Sequence, residues 1–195
     1  YRDATQLVAV IAGSAAITIA TCSEPLLLVW TDDKYLAEQA APILRLYAIG
    51  NGLLALAAFP YYLQYAKGNL HYHLIGNIVT AFMLIPAVAV AATHYGAVGA
   101  GYVWVAINCL TLFAWVSYVH YKLESSLHLK WLFHDILLLC APGAASGFSI
   151  NYFWVRENTM DSSLAQIIIT TSATTLLIAG THMTSKLISK SRRDI

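Results

Sequence analysis

The chain has 195 residues, of which 58% are hydrophobic and only 11% are charged. That charged share is less than half the value of about 25% that is usual in soluble domains. The net charge of +1 gives no support for nucleic acid binding. Apolar stretches recur at roughly the 20 residues that a helix needs to cross a bilayer, so the composition predicts an all-α integral membrane protein.

Six apolar segments are predicted to cross the membrane as helices, at residues 5–28, 42–66, 70–93, 97–121, 131–154 and 163–187. They are too long and too uniformly apolar for the alternating strands, of about ten residues, in a membrane barrel. The chain is therefore divided into four helices in 1–121, a cytoplasmic loop at 122–130, and two helices with a basic tail in 131–195.

Prolines and a glycine are expected to mark bends, starts and turns of these helices. Pro25, next to Glu24, is expected to bend or end the first helix because proline lacks the amide proton. Pro42 suits the first turn of the second helix. Tyr95 and Gly96 are expected to form the tight turn between the third and fourth helices.

The two sides of the membrane differ sharply in basic residues. With six crossings, both termini and the loops after the second and fourth helices lie on one side. That side carries eight basic residues: Arg2, Lys67, Lys122, Lys130, Lys186, Lys190, Arg192 and Arg193. The other side carries Lys34 and Arg156. By the positive-inside rule, both termini are expected in the cytoplasm.

Arg45 is the basic residue that lies well inside a predicted span. An arginine at membrane depth pairs with an acid, extends to the interface or faces a wet cavity. Glu24 reaches a similar depth on the first helix. Two interpretations of Arg45 are therefore open: an ion pair with Glu24, or a role in binding an anionic substrate.

Amides and basic side chains at other helix positions are further candidates for a substrate path. Asn51 and Asn77 place amides in two spans, where they can bond between helices or meet a hydroxyl-rich ligand. Lys67 lies with His71 and His73 at a cytoplasmic turn, where it can attract phosphate, although the positive-inside pattern alone explains it. Two histidines are a weak metal signal, so no metal site is predicted.

Asp135, near the predicted start of the fifth helix, is a candidate for proton coupling or for an ion pair. A carboxylate there is also favourable simply because it lies near a helix N-terminus. The sequence has no serine, histidine and aspartate set with suitable spacing and no cofactor fingerprint. We therefore expect a transporter without a cofactor rather than an enzyme.

Short motifs stand at successive helix ends in about the first 120 residues. They are EPLLLVW at 24–30, PILRL at 42–46, PYYLQYAKG at 60–68, Asn77, and YGAVGA at 95–100 followed by Trp104. Their order resembles the C-terminal part of bacterial polysaccharide flippases. These are the O-antigen transporters of the multidrug, oligosaccharidyl-lipid and polysaccharide exporter superfamily. From about Lys130 onward the sequence carries no such motif.

The resemblance implies the last six helices of a two-lobed transporter of roughly twelve to fourteen helices in the bacterial inner membrane. Such proteins carry undecaprenyl-pyrophosphate-linked oligosaccharide from the inner to the outer leaflet by alternating access. Their central cavity is typically cationic, which corresponds by position to Arg45 and more weakly to Lys67. The implied partners are the lipid-linked oligosaccharide, membrane lipids, the N-terminal lobe and the polysaccharide polymerase machinery.

Two other functions stay open. A cation-coupled antiporter of drugs or small solutes, from the same superfamily, would depend on carboxylates such as Glu24 or Asp135. A membrane scaffold that does not transport would need helix packing alone. Cation-dependent efflux that is lost on neutralising either acid would favour the antiporter. Tolerance of every intramembrane polar residue to apolar substitution would favour the scaffold.

Overall fold

The computed structural model describes residues 1–154 and 160–191, and every element in these ranges is helical. Five of its helices are long and apolar enough to cross a membrane. They are Arg2–Thr21, Lys34–Ala66, His71–Leu123, Leu127–Phe153 and Asp161–Leu187. The chain is thus an all-α protein with the helices of a multi-pass membrane protein, as its composition predicts.

We number the α-helices of the described residues in chain order. They are α1 (Arg2–Thr21), α2 (Ser23–Thr31), α3 (Lys34–Ala57), α4 (Phe59–Ala66), α5 (His71–Leu110), α6 (Val116–Leu123), α7 (Leu127–Lys130), α8 (Leu138–Phe153) and α9 (Met160–Ser191). Two π-helical segments, Thr111–Trp115 and Trp131–Leu137, join α5 to α6 and α7 to α8.

The first apolar segment bends where the sequence predicts. α1 ends at Thr21, and Pro25 lies in the first turn of α2. Backbone amides in a first turn have no hydrogen-bond partner within the helix, so the missing amide proton of proline costs nothing there. The Ser23 hydroxyl donates to the carbonyl oxygens of Ile19 at 2.7 Å and Ala20 at 3.1 Å. The bend is confirmed, and polar groups at it find partners within the protein, as a membrane interior requires.

The second long helix starts earlier than the sequence suggested. α3 begins at Lys34, because the side chain of Asp33 caps it by accepting a hydrogen bond from the Leu36 amide at 3.0 Å. Pro42 therefore lies inside α3 and not in its first turn, so that prediction was wrong.

α5 consists of two antiparallel legs. Gly96 breaks the helix with φ 63° and ψ −155°, a conformation that glycine adopts far more readily than other residues. Beyond it the chain reverses, so that the rings of Tyr72 and Tyr118 lie 5.9 Å apart. A Cβ on Gly99 would stand 2.6 Å from the carbonyl oxygen of Ala91. The turn predicted at Gly96 is confirmed, so the His71–Leu123 helix runs along the bundle twice and the described helices make six passes.

The polar loop predicted at 122–130 is shorter in the structure. α6 extends to Leu123 and α7 begins at Leu127, so only residues 124–126 separate the two helices. The helix that carries the predicted fifth span therefore starts at Leu127, before the residue Trp131 at which the span was predicted to begin. Polar residues of the predicted loop instead occupy helix ends. Lys122 lies in the last turn of α6, where the helix dipole favours a cation.

Small residues let neighbouring helices approach closely. A Cβ on Gly143 of α8 would stand 2.5 Å from Ile178 of α9, and a Cβ on Gly50 of α3 would stand 2.3 Å from Trp104 of α5. The free thiol of Cys140 lies beside Gly13 in the same way. Helices in lipid associate through such close packing because the lipid tails are as apolar as the side chains.

One end of the bundle, which we call the basic end, gathers basic side chains from distant parts of the sequence. Lys186 Nζ lies 3.7 Å from an Asp3 carboxylate oxygen, and Lys67 Nζ lies 3.2 Å from Glu124 Oε2. Lys34 begins α3 at the opposite end. The basic residues whose side chains are described at the basic end are Arg2, Lys67, Lys122, Lys130 and Lys186, and Lys190 lies in the last turn of α9. Arg156, Arg192 and Arg193, which entered the predicted charge count, lie outside the described residues.

Candidate functional site

Arg45 has a backbone partner at the bend between α1 and α2. Its Nε donates to the carbonyl oxygen of Ala20 at 3.1 Å, at the C-terminal end of α1, where the helix dipole favours a cation. The side chain nevertheless remains exposed. Glu24 is half-buried and has a contact of its own, and its predicted ion pair with Arg45 stays a prediction.

Asn51 lies in a groove of about 270 Å³ between α1 and α3, and its side chain is exposed. The groove is lined by Ala12, Ala15, Ala16, Ile19, Leu44, Tyr47, Ala48, Asn51 and Gly52. Small residues keep it open, while Tyr47 and Asn51 supply a phenol and an amide. Arg45 does not line the groove itself. Its guanidinium bonds to the carbonyl oxygen of Ala20, the residue that follows Ile19 of the groove wall.

Lys67 has a structural role at the basic end. Its Nζ donates to the carbonyl oxygen of Leu123 and pairs with Glu124, which together close the C-terminal end of α6. A lysine held by these two partners is a weaker candidate for substrate phosphate than Arg45. The positive-inside explanation of Lys67 needs no substrate either.

Asn77 lines a second cavity of about 290 Å³ at the basic end, which we call the aromatic pocket. It is lined by Leu54, Ala57, Ala58, Pro60, Tyr61, Tyr62, Gln64, His73, Gly76, Asn77, Thr80, Thr111, Trp115 and Val116. Asn77 Nδ2 lies 3.0 Å from His73 Nε2. Gln64 is only 2% exposed, and its Oε1 accepts a hydrogen bond from the His73 amide at 2.7 Å.

Asp135 is fully buried in the π-helical segment before α8 and forms an ion pair with Arg2. The guanidinium binds it through two hydrogen bonds, Nε to Oδ2 at 2.6 Å and Nη2 to Oδ1 at 2.8 Å. Gln6 Nε2 adds a third at 2.7 Å. The predicted place of Asp135 near a helix N-terminus was wrong, because the helix begins at Leu127.

A chain of hydrogen bonds runs close to this ion pair through two imidazoles. The Tyr1 hydroxyl lies 2.8 Å from His120 Nε2, the Nδ1 atoms of His120 and His128 lie 3.1 Å apart, and His128 Nε2 lies 2.7 Å from Ser117 Oγ. Burial raises the pKa of the Tyr1 phenol, and the charge of Asp135 raises it further. The phenol therefore stays protonated and can donate to His120.

Sequence reasoning missed this chain of side chains. His120 and His128 stand on either side of the short 124–126 connection, which folds α7 back against α6. Two histidines flanking a short helical connection were the signal available in the sequence. The described residues contain no group of three His, Cys, Asp or Glu side chains that could hold a metal ion.

No protein-family model, no curated protein and no solved structure matches the chain. The resemblance to polysaccharide flippases therefore rests on the helix-end motifs, and the function is argued from geometry.

Proposed function

We propose that the chain is part of a membrane transporter for an anionic, sugar-bearing lipid of the undecaprenyl-pyrophosphate oligosaccharide class. The observation that carries this proposal is the open groove between α1 and α3, which has Tyr47 and Asn51 in its wall. Arg45 is bonded to the Ala20 carbonyl, next in sequence to the groove residue Ile19. Guanidinium groups suit phosphate oxygens, while an amide and a phenol suit sugar hydroxyls. The alanine-rich remainder of the wall suits a lipid chain.

A groove that carries an amide and a phenol in an apolar wall supports a flipping role on energetic grounds. Each unpaired hydroxyl moved into hydrocarbon costs roughly 2–7 kcal/mol, so a sugar chain does not cross unaided. Groove side chains that hydrogen-bond to hydroxyls lower that cost. Each negative charge that leaves the cell interior gains about 2.3 kcal/mol per 100 mV, so outward flipping of a pyrophosphate can be driven by the membrane potential.

The proposed setting is the bacterial cytoplasmic membrane, with the basic end in the cytoplasm. The clustered basic side chains of that end support this orientation through the positive-inside rule. The groove would face an N-terminal lobe of the same protein, and transport would need both lobes. The polymerase machinery that lengthens the sugar chain is the partner that would receive the flipped substrate.

Replacing Arg45 with alanine tests this function. We expect the amount of surface glycan to fall about tenfold or more at matched expression, because the pyrophosphate loses a charged hydrogen-bond partner. Arg45→Lys should keep part of the activity, since lysine retains the charge without the bidentate geometry. Immunoblots of surface glycan measure the effect in the full-length protein.

The control for this experiment is Lys34→Ala, which removes an exposed cation at the start of α3. It should leave surface glycan unchanged. Thermal unfolding of the purified Arg45 variants separates substrate binding from support of the bend. Unchanged glycan in Arg45→Ala, or a glycan loss matched by equal unfolding in both Arg45 variants, would remove Arg45 from the substrate path.

A second function, proton-coupled antiport of a small solute, is favoured by the buried Asp135 and its pairing with Arg2. A carboxylate that exchanges Arg2 for a proton has two charge states, and the nearby histidine chain offers a route for that proton. Asp135→Asn removes the exchangeable proton. It should abolish efflux driven by a proton gradient in vesicles, whereas the exposed acid change Glu38→Gln should not. Efflux that persists in Asp135→Asn would rule this function out.

A further inference from the structure

The lining of the aromatic pocket combines aromatic rings and amides with aliphatic and threonine side chains. Tyr61, Tyr62 and Trp115 supply ring faces, while Gln64 and Asn77 supply amides. Among the described residues that line the pocket there is no lysine, arginine, aspartate or glutamate. Such a lining suits a neutral ligand with both C–H faces and hydroxyl groups, and not a phosphate.

The amides of the pocket are held in fixed orientations. Gln64 Oε1 is engaged by the His73 backbone amide, which leaves its Nε2 to donate a hydrogen bond. Asn77 Nδ2 is engaged by the His73 ring, which leaves its Oδ1 to accept one. The pocket therefore offers a donor and an acceptor whose geometry is set before a ligand arrives, and pre-ordering of this kind lowers the cost of binding.

The aromatic rings are also positioned by their neighbours. The Tyr61 ring centroid lies 4.6 Å from that of His73 and 5.3 Å from that of Tyr62. Trp115 packs over Gly76, where a Cβ would stand 2.4 Å from the indole nitrogen. Glycine at this position lets the indole lie against the first leg of α5 and border the pocket.

The size of the pocket limits what it can hold. Its volume of about 290 Å³ is at the small end of the range of about 300–1,000 Å³ for ligand sites. This is room for one sugar ring and not for an oligosaccharide. Because the pocket is partly open, the rest of a chain can extend outward from it.

We propose that the aromatic pocket is a binding site for a single neutral sugar ring at the basic end of the bundle. Tyr61 and Trp115 contact the C–H faces of the ring, and Gln64 and Asn77 hydrogen-bond to its hydroxyl groups. The site rests on the proposed function, because it gives the sugar portion of that substrate a place apart from the Arg45 groove. It is the site where a glycan would first meet the transporter from the cytoplasm.

Saturation-transfer NMR on the full-length protein tests the site, with free galactose, rhamnose and N-acetylglucosamine as probes. The protein is held in lauryl dimethylamine oxide, because detergents with sugar headgroups would compete. Wild-type protein should bind at least one probe. Tyr61→Leu and Asn77→Leu should each weaken that binding about tenfold, the effect of losing about 1.4 kcal/mol of contact.

Tyr102→Leu is the matched control, because Tyr102 is 64% exposed and lies outside the pocket. It should bind the probes like wild-type protein. Asn77 is exposed on α5, so Asn77→Leu is expected to fold. It can therefore test the site even if Tyr61→Leu does not fold. Absence of binding by wild-type protein, or equal binding by the pocket variants, would overturn the sugar site. A glycan loss in Arg45→Ala with no sugar binding here would reject this site and leave the transport function standing.

Discussion

Replacing Arg2 with methionine is expected to lower the free energy of unfolding by about 3 kcal/mol, because it strands a buried carboxylate. Asp135 has no solvent exposure, and two of its three hydrogen bonds come from Arg2. Without the guanidinium, only the Gln6 amide remains. Denaturant titration in detergent, followed by tryptophan fluorescence, measures the loss, since Trp131 lies in the same buried region.

The two partners of this ion pair should not be equivalent. Asp135→Leu should cost less than Arg2→Met, because the Arg2 side chain is 47% exposed and its charge can reach water. The double variant should recover much of the loss, since no buried charge is left without a partner.

Lys34→Met is the control for Arg2→Met, because Lys34 and Glu38 form an exposed pair at 4.0 Å. Such pairs contribute about 0–1 kcal/mol. A loss in Arg2→Met no greater than in Lys34→Met would show that the Asp135 pair does not stabilise the fold.

The sequence could predict the helical passes because their signals are local. Apolar length marks a crossing, proline marks the bend at Pro25, and glycine marks the reversal at Gly96. Helix ends were predicted less well. Hydrophobicity marks only the apolar part of a helix, and the helix can continue beyond that part. α3 starts at its Asp33 cap, and α7 starts in a segment that reads as a polar loop.

The partners within the candidate sites could not be predicted, because they depend on which helices are neighbours. Asp135 was a candidate from its own chemistry, but Arg2 lies 133 residues away in sequence. Arg45 was found because it is a lone cation in an apolar segment, yet its bond to the Ala20 carbonyl requires the packing of α3 on α1. Gln64 carries no signal in the sequence that separates it from other helix-end amides.

Both polar sites at the basic end include a π-helical segment. Thr111–Trp115 carries Trp115 to the aromatic pocket, and Trp131–Leu137 carries Asp135 to Arg2. A π-helical turn inserts one residue into the helical repeat, which turns a side chain to a face it would not otherwise occupy, and such turns are frequent at functional sites. The two segments lie at the end where both the proposed sugar site and the proton route are placed.

Alanine at Gly99 is expected to lower the free energy of unfolding by about 2–3 kcal/mol through overpacking. The new Cβ would stand 2.6 Å from the carbonyl oxygen of Ala91 and 2.7 Å from the Cβ of Tyr95. Neither atom can move by a simple change of rotamer, because one is backbone and the other is attached to it. Relief therefore requires the two legs of α5 to separate next to the turn at Gly96.

Gly180→Ala makes the same chemical change in α9 where nothing lies within 4 Å of the new Cβ. There alanine should stabilise the protein by about 0.5–1 kcal/mol, since it is the better helix former. The two variants are thus expected to shift the denaturant midpoint in opposite directions. A stabilising Gly99→Ala would mean that the two legs of α5 do not pack closely beside Gly96. The close approach of Gly99 to Ala91 would then not be a feature of the fold.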